Sequence, residues 1–541
     1  MSFKQKVVYQ IYPKSFYDEN GDGIGDLAGI IKKLPYLAEL GVDMLWLSPI
    51  YPSPQKDNGY DVSDYLAIDP RFGTMATFEK LVAQAKTFGI GIMLDMVFNH
   101  VSIEHEWFQR ALAGERKYQD YFILREEPTN WQSKFWGSAW APFGQTGKWY
   151  LHLYDVTQAD LNWRNPAVRK ELQQVLDFWL DKGVEGLRFD VINVIGKDAQ
   201  LKDAADGVGK AEYTDRPIAH EYIHELNRAS FGKHETVVTV GEMSSTTIEN
   251  GVLYTQESRE ELSMIFNFHH LKVDYAEGNK WTKSTFDFHQ LTAILHEWGE
   301  KMSDQGGWNA LFWNNHDQPR ALNRFVDWQN DRVAGAQVLA AIIHLNRGTP
   351  FIYMGEEIGM LNPTYATIDF FDDVETKNAY QMLLQEGNSP SEALAIVQSK
   401  SRDNARIPMQ WQATDNGGFT TGTPWLKLGD YQHISVEKEL ANPQIFSFYQ
   451  QLIRLRKTYP IIAEGSYEGY EKDHDQLMAF IRKLGQERLL VVNNLSPSSA
   501  QITVPNDCLN GQVLLSNKKI AIKKQLTLEP YHTVAILYKQ E

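Results

Sequence analysis

The feature that most constrains this chain is an alternation of short apolar runs with amphipathic helical segments, starting near its first residue. VVYQI (7–11), MLWLS (44–48) and GIMLDMVF (91–98) are buried-strand runs, separated by LAGIIKKLPYLAELG (27–41) and TFEKLVAQAKTFG (77–89). Leu27, Ile30, Ile31, Leu34 and Leu37 share one face of the first helix, which stops at Gly41; Phe78, Leu81, Val82 and Ala85 point inward on the second. Strands joined through helices pair in parallel. The pattern resumes at NPAVRKELQQVLDFWLDKG (165–183), where Asn165 caps, Pro166 opens and Gly183 closes a helix. Strands follow at GLRFDV (186–191), VVTVGEM (237–243), MIFNF (264–268), ALFWN (310–314) and FIYMG (351–355). Eight strands of this kind predict an α/β fold, a TIM (β/α)8 barrel.

Residues 101–165 break the rhythm; they are rich in Trp, Tyr, Gly and Ser and predict a domain inserted after the third strand. From about 465 the chain alternates as strands do (RLLVVNNL, QVLLS, TVAILY), which predicts an all-β C-terminal domain. The expected division is barrel at 1–100, inserted domain at 101–168, barrel again at 169–462 with a loop-rich subdomain at about 356–415, and a β-sandwich at 463–541. A barrel takes roughly 250 residues and exceeds about 400 with insertions, which suits a 541-residue chain.

Charge and composition narrow the partners. A formal charge of −16 argues against nucleic acid or an anionic membrane. No apolar run approaches the roughly 20 residues of a membrane span, and MSFKQKVVYQIYPKSF reads as a first strand, not a signal peptide. The single cysteine, Cys508, allows no internal disulfide and suits a reducing compartment; no Cys/His cluster suggests zinc. A cytoplasmic, monomeric enzyme acting on a small molecule is expected, and 15 Trp and 25 Tyr supply the flat faces that hold sugars.

Catalytic groups of such barrels sit at the C-terminal ends of strands. Asp190 ends the fourth, Glu242 ends the fifth and Asp317 follows the seventh in NNHDQPR, flanked by Arg188, His100 and His316. Glycosidic cleavage with retention needs one ionised carboxylate and one protonated acid about 5–5.5 Å apart. Arg188, two residues before Asp190, would keep the aspartate ionised and nucleophilic. Glu242 would then be the protonated acid, and Asp317 would stabilise the cationic sugar.

DMVFNH, GLRFDV, VGEM and NNHD, with QADLN (158–162), resemble the motifs of the α-amylase family of glycoside hydrolases, in the right order and over nearly the whole chain. The resemblance implies Asp190 as nucleophile, Glu242 as acid/base, Asp317 as transition-state stabiliser, and His100, Arg188 and His316 on the −1 sugar. DNGYD (57–61) and SRDNARIPMQW (401–411) resemble the oligo-1,6-glucosidase branch. There Asp57 and Arg402 would clamp the non-reducing end and Tyr60 would stack under the ring, making the enzyme exo-acting. Val191, after the nucleophile, is as in branch members not specialised for α-1,4 links, and Ile407 stands where the branch usually has Thr. DENGDGIGD (18–26) has calcium-loop spacing. Relatives bind Ca²⁺ there, which implies a structural Ca²⁺ (or Mg²⁺) on Asp18, Asn20, Asp22, the Ile24 carbonyl and Asp26, and no cofactor for catalysis.

Residues 210–228, 240–251 and 261–275 look most like branch members that split trehalose 6-phosphate into glucose and glucose 6-phosphate, although Arg216 replaces a usual Gly. Where oligo-1,6-glucosidases carry a QFEH-type sequence, this chain has NFHH followed by Lys272. Exchanging a carboxylate for cations favours a phosphate. His269, His270 or Lys272, with Lys280, are the expected phosphate contacts. The alternative is an oligo-1,6-glucosidase or dextran glucosidase acting on isomaltose-type links. A non-catalytic relative, such as a transporter ectodomain, would lack the acids.

Overall fold

The computed structural model describes residues 2–540. Eight parallel strands build a nearly closed barrel: β1 (Val8–Ile11), β2 (Met44–Leu47), β3 (Gly91–Met96), β4 (Gly186–Phe189), β5 (Val238–Glu242), β6 (Met264–Phe266), β7 (Ala310–Leu311) and β8 (Thr349–Tyr353). Their order is β6-β5-β4-β3-β2-β1-β8-β7, so sequence neighbours are spatial neighbours and the ring is interrupted only between β6 and β7. Every residue of β1, β2, β3 and β4 is buried, as parallel strands covered on both faces require.

Helices form where the sequence supplies caps and an apolar face. Helix α1 (Leu27–Leu40) starts at Asp26, whose carboxylate accepts from the Gly29 amide, and ends at Gly41, whose φ of +96° only glycine adopts without strain. It buries Leu27, Ile30, Leu34, Leu37 and Leu40, each side chain contributing roughly 1.5–3 kcal/mol. Helix α2 (Met75–Thr87) is capped by Thr74, and α3 (Pro166–Asp181) by Asn165 with Pro166 at its first position.

The chain divides into two compact units, one joining the residues up to Leu45 with Phe268 onward, the other Trp46–Asn267. In the second, an antiparallel pair joins His100–Ser102 to Gln158–Asp160, and a three-stranded sheet orders Leu124–Arg125, Trp149–Leu151 and Trp140–Pro142. Trp131, Trp140, Leu151 and Leu153 pack there with Val191, Val194 and Tyr213. In the first, strands at 466–470, 477–484, 487–494, 533–539 and 512–516 form an antiparallel sheet in that order. It packs with a two-stranded ribbon, Ala500–Thr503 with Gln525–Leu528, around a core that includes the buried free Cys508.

The stretch expected to be loop-rich at about 356–415 is not so. It holds α4 (Val374–Gln385), capped by Asp373, and α5 (Pro390–Lys400), opened by a Ser389–Glu392 capping box. Ala379, Leu383, Ala393 and Val397 bury against Trp281. Among the described residues no helix is long and apolar enough to cross a membrane.

Candidate active site

Two charged clusters form, one in each unit, the first at strand ends and the second among segments that follow β7 and β8. The first is organised by Arg188. Its register on β4 sets it beside Asp95 of β3 and Val240 of β5. The guanidinium is 1% exposed, and its Nη1 donates to Asp95 (2.6 Å) and Asp190 (2.8 Å) while Nη2 donates to Glu242. The flat faces of Trp46 and Tyr60 lie 5.0 and 5.7 Å away. Burial works against the charge of Arg188, but Asp95, Tyr60 and Asp190 outweigh it and hold the proton more tightly than usual. Asp95 also accepts from the Tyr60 hydroxyl (3.0 Å) and the Trp46 indole (3.2 Å).

Asp190 and Glu242 therefore share one guanidinium. Double displacement calls for carboxyl groups about 5–5.5 Å apart, a single displacement for about 6.5–9.5 Å with a water between them. Gly241 lets β5 approach its neighbours, since a Cβ there would sit 2.6 Å from Leu262 Cδ1. Val191 holds φ 37°, ψ 40°, a left-handed conformation that costs a β-branched residue about 1–3 kcal/mol. Packing against the inserted segment's aromatic core offsets it and fixes the turn that aims Asp190.

The sugar-facing candidates of this unit are tied to one another. His100 Nδ1 accepts from the Asn99 amide (3.2 Å), which leaves the ring proton on Nε2, 3.1 Å from the Tyr60 carbonyl. Burial holds its pKa down at about 4, so the ring is neutral at pH 7. Lys197 fixes the orientation of Asn99, donating to its Oδ1 (2.8 Å) and to Asp160 (2.7 Å). Gln158 donates to Asp57 (3.1 Å).

The second cluster is organised by two arginines. Asp317 accepts from Arg406 at 2.6 Å and lies 3.7 Å from Arg402 and 3.4 Å from His316. Desolvation alone would raise Asp317, but His316, Arg402 and Arg406 hold it well below the usual carboxylate range. Its side chain remains 30% exposed, open to a ligand. Arg402 grips Asp373 (2.9 and 2.6 Å) and is 3.5 Å from Glu375, which also pairs with Lys280 at 2.7 Å. His316 is stacked on Tyr12 and bonded to Gln10 (2.9 Å).

The expected phosphate contacts fare differently. His270 is a core residue. Its Nε2 donates to the Phe312 carbonyl (2.8 Å), its ring packs on Phe312 and Trp313, and burial keeps it neutral with a pKa near 4. His269 leans on Trp298 of the helix Phe288–Asp304. Lys272 is exposed, and the ammonium of Lys280 is engaged by Glu375. The sequence motifs assign no role to Asp95, Gln158, Glu375 or Lys134. An acid in the middle of the apolar run GIMLDMVF was the available signal for Asp95.

The loop at 18–26 is held by its own oxygens. Asp18 accepts from the amides of Gly21 and Gly23 (both 2.7 Å), Asp26 from Gly29 (2.6 Å), Asn20 from Asp22 and Asp22 from Ile24 (both 2.9 Å). Burial, with the adjoining Asp18 charge, pushes the Asp26 carboxyl up. No three His, Cys, Asp or Glu side chains converge as a chelating group among the described residues, so the three aspartates do not form one by themselves. The all-oxygen donor set and its excess of negative charge still fit a hard cation.

The description "Alpha amylase, catalytic domain" matches residues 10–465, and "Alpha-amylase SusG C-terminal domain" matches 477–535. The chain is 48% identical to trehalose-6-phosphate hydrolase of Bacillus subtilis, over 98% of this chain and 97% of that protein. It is 43% identical to an oligo-1,6-glucosidase of Parageobacillus thermoglucosidasius, over 99% and 98%. The crystal structure of Bacillus licheniformis trehalose-6-phosphate hydrolase superposes with a TM-score of 0.96 at 47% identity, covering 99% of this chain and all of that one.

Proposed function

The chain belongs to the α-amylase family of glycoside hydrolases, and from that premise we propose that it hydrolyses trehalose 6-phosphate to glucose and glucose 6-phosphate by double displacement. The observation that carries the substrate is the 48% identity, over nearly both full lengths, to a trehalose-6-phosphate hydrolase. In this reading glucose occupies −1 and glucose 6-phosphate +1. Asp190 attacks the anomeric carbon as Glu242 gives its proton to the glycosidic oxygen, the C1–O bond breaks, and glucose 6-phosphate leaves. A water then passes its proton to Glu242 while its oxygen displaces Asp190, releasing α-glucose.

Arg188 holds both acids in register. By the family resemblance His100 and Tyr60 would bind the −1 ring, Asp317 and His316 its hydroxyls, and Asp57 and Arg402 its non-reducing end, which would make the enzyme exo-acting. Asp18, Asn20, Asp22, the Ile24 carbonyl and Asp26 would hold a structural Ca²⁺ or Mg²⁺, which would neutralise the loop's charge. The enzyme works as a cytoplasmic monomer in this account.

Initial rates on trehalose 6-phosphate, trehalose and isomaltose, with product analysis, test the reading. Equimolar glucose and glucose 6-phosphate, formed fastest from the phosphorylated sugar, is the expected result. Faster turnover of isomaltose would replace the reading with an oligo-1,6-glucosidase, which the 43% identity to one keeps as the second choice.

A further inference from the structure

We infer that Lys134, on the inserted segment, is the residue that selects a phosphorylated leaving group. The inference rests on the function proposed above and adds the contact that function lacks. The acid that protonates the glycosidic oxygen must touch the leaving sugar, so that sugar lies against Glu242 and the residues that follow it off β5. Ser244 is two residues beyond Glu242, and the Lys134 ammonium donates to its hydroxyl at 2.7 Å.

The surroundings tie this cation to the acids. Lys134 lies over the rings of Tyr154 (5.8 Å) and Tyr213 (5.3 Å). Tyr154 packs on His100 at 5.3 Å, and its hydroxyl is pushed well above its usual range by burial and then by the charge of Asp190. The cluster therefore touches His100 on one side and, through Ser244, the strand end that carries Glu242 on the other. Ser244 is itself anchored, its amide donating to Asn193 Oδ1 (3.0 Å).

Charge supplies the reason for a lysine here. A sugar phosphate brings about −1.5 to −2 charges at neutral pH into a site where Asp95, Asp190 and Glu242 share one arginine. Without a cation on the leaving-group side the phosphate would be repelled. The Lys134 ammonium, at the Ser244 hydroxyl, is a cation placed beside the strand end that carries Glu242.

The test compares the wild type with Lys134→Met and Lys134→Arg. It measures kcat and KM on trehalose 6-phosphate and trehalose, and the inhibition constants of glucose 6-phosphate and glucose against p-nitrophenyl α-glucoside hydrolysis. For Lys134→Met the preference for the phosphorylated over the plain disaccharide should fall about 10- to 100-fold, mainly through KM, the size of one charge-assisted hydrogen bond. Glucose 6-phosphate should inhibit it about 10-fold or more weakly, with glucose inhibition moving far less, and Lys134→Arg should recover most of both. An unchanged preference and inhibition constant overturn the inference, as does an equal loss on both disaccharides. If the wild type itself shows no preference for the phosphorylated sugar, the substrate reading fails, and the glucose 6-phosphate inhibition constant still decides whether Lys134 binds the anion.

Discussion

The two charged clusters are built on opposite electrostatic plans. Around Arg188 three carboxylates share one cation. Around Arg402 and Arg406, Asp317, Asp373 and Glu375 meet those two arginines and Lys280, so charge is balanced. Burial and the arginines act in opposite senses on Asp373, and Arg402 and Arg406 win, holding it well below the usual range. Asp403, which is not one of those paired acids, is pushed up to about 6 by burial and by Asp373. A surplus of acid around one cation favours keeping a proton, which general-acid catalysis needs; a balanced cluster keeps its carboxylates ionised, which binding an oxocarbenium-like sugar needs. In the proposed mechanism the same residue types thus serve chemistry in one cluster and recognition in the other.

The contrast breaks most visibly if the acids of the first cluster are neutralised. Asp190→Asn and Glu242→Gln should each lower kcat by roughly four orders of magnitude, the scale set by losing a covalent or proton-transfer residue. Circular dichroism and melting should remain native. Near-normal turnover in either variant would remove that residue from the mechanism.

Removing the organising cations should separate the clusters by stability. Arg188→Met strands the fully buried Asp95 and should cost about 3–5 kcal/mol in urea unfolding. Arg402→Met leaves Asp373 with Arg406 at 3.9 Å and should cost about half as much, while weakening substrate binding. Equal losses would mean that the clusters are not built differently.

Acid should act on buried neutral histidines of both units, His270 as well as His100 and His105, before it reaches the depressed carboxylates of the second cluster. His100 and His105 are held by burial near pKa 4, so they stay neutral in the fold while the unfolded histidines take up protons below about 6.5. Stability present at pH 7 is therefore lost as pH falls from about 6.5 toward 4, at pH 5 by about 2 kcal/mol for each. The depressed Asp317 and Asp373 lose their contribution only below the ordinary aspartate range, near 3.8. Urea titrations at pH 7, 6 and 5 check this; a flat profile contradicts it. The smallest effect belongs to Glu375→Gln, which loosens Lys280 and should change KM a few-fold with stability shifting by no more than about 1 kcal/mol.

The barrel was legible because its strands are short apolar runs and its helices carry caps at Asp26, Thr74 and Asn165. The acids were legible because strand ends are where a parallel barrel exposes side chains. Helices α4 and α5 were missed because each buries few residues, among them Ala379 and Leu383 or Ala393 and Val397, too sparse to show a period; the SPSE capping box was the overlooked sign. The HH pair suggests a cation in the sequence, but whether a histidine meets phosphate or the Phe312 carbonyl depends on β7's flank, some forty residues away in sequence. Lys134 lies in a segment without periodicity, and only folding brings it to Ser244.

The most direct test of the account follows the anomeric proton of the released glucose by NMR during the first minutes of trehalose 6-phosphate hydrolysis, before mutarotation. Attack by Asp190 followed by water predicts that α-glucose appears first and β-glucose only later. β-Glucose as the initial product would contradict the paired roles of Asp190 and Glu242.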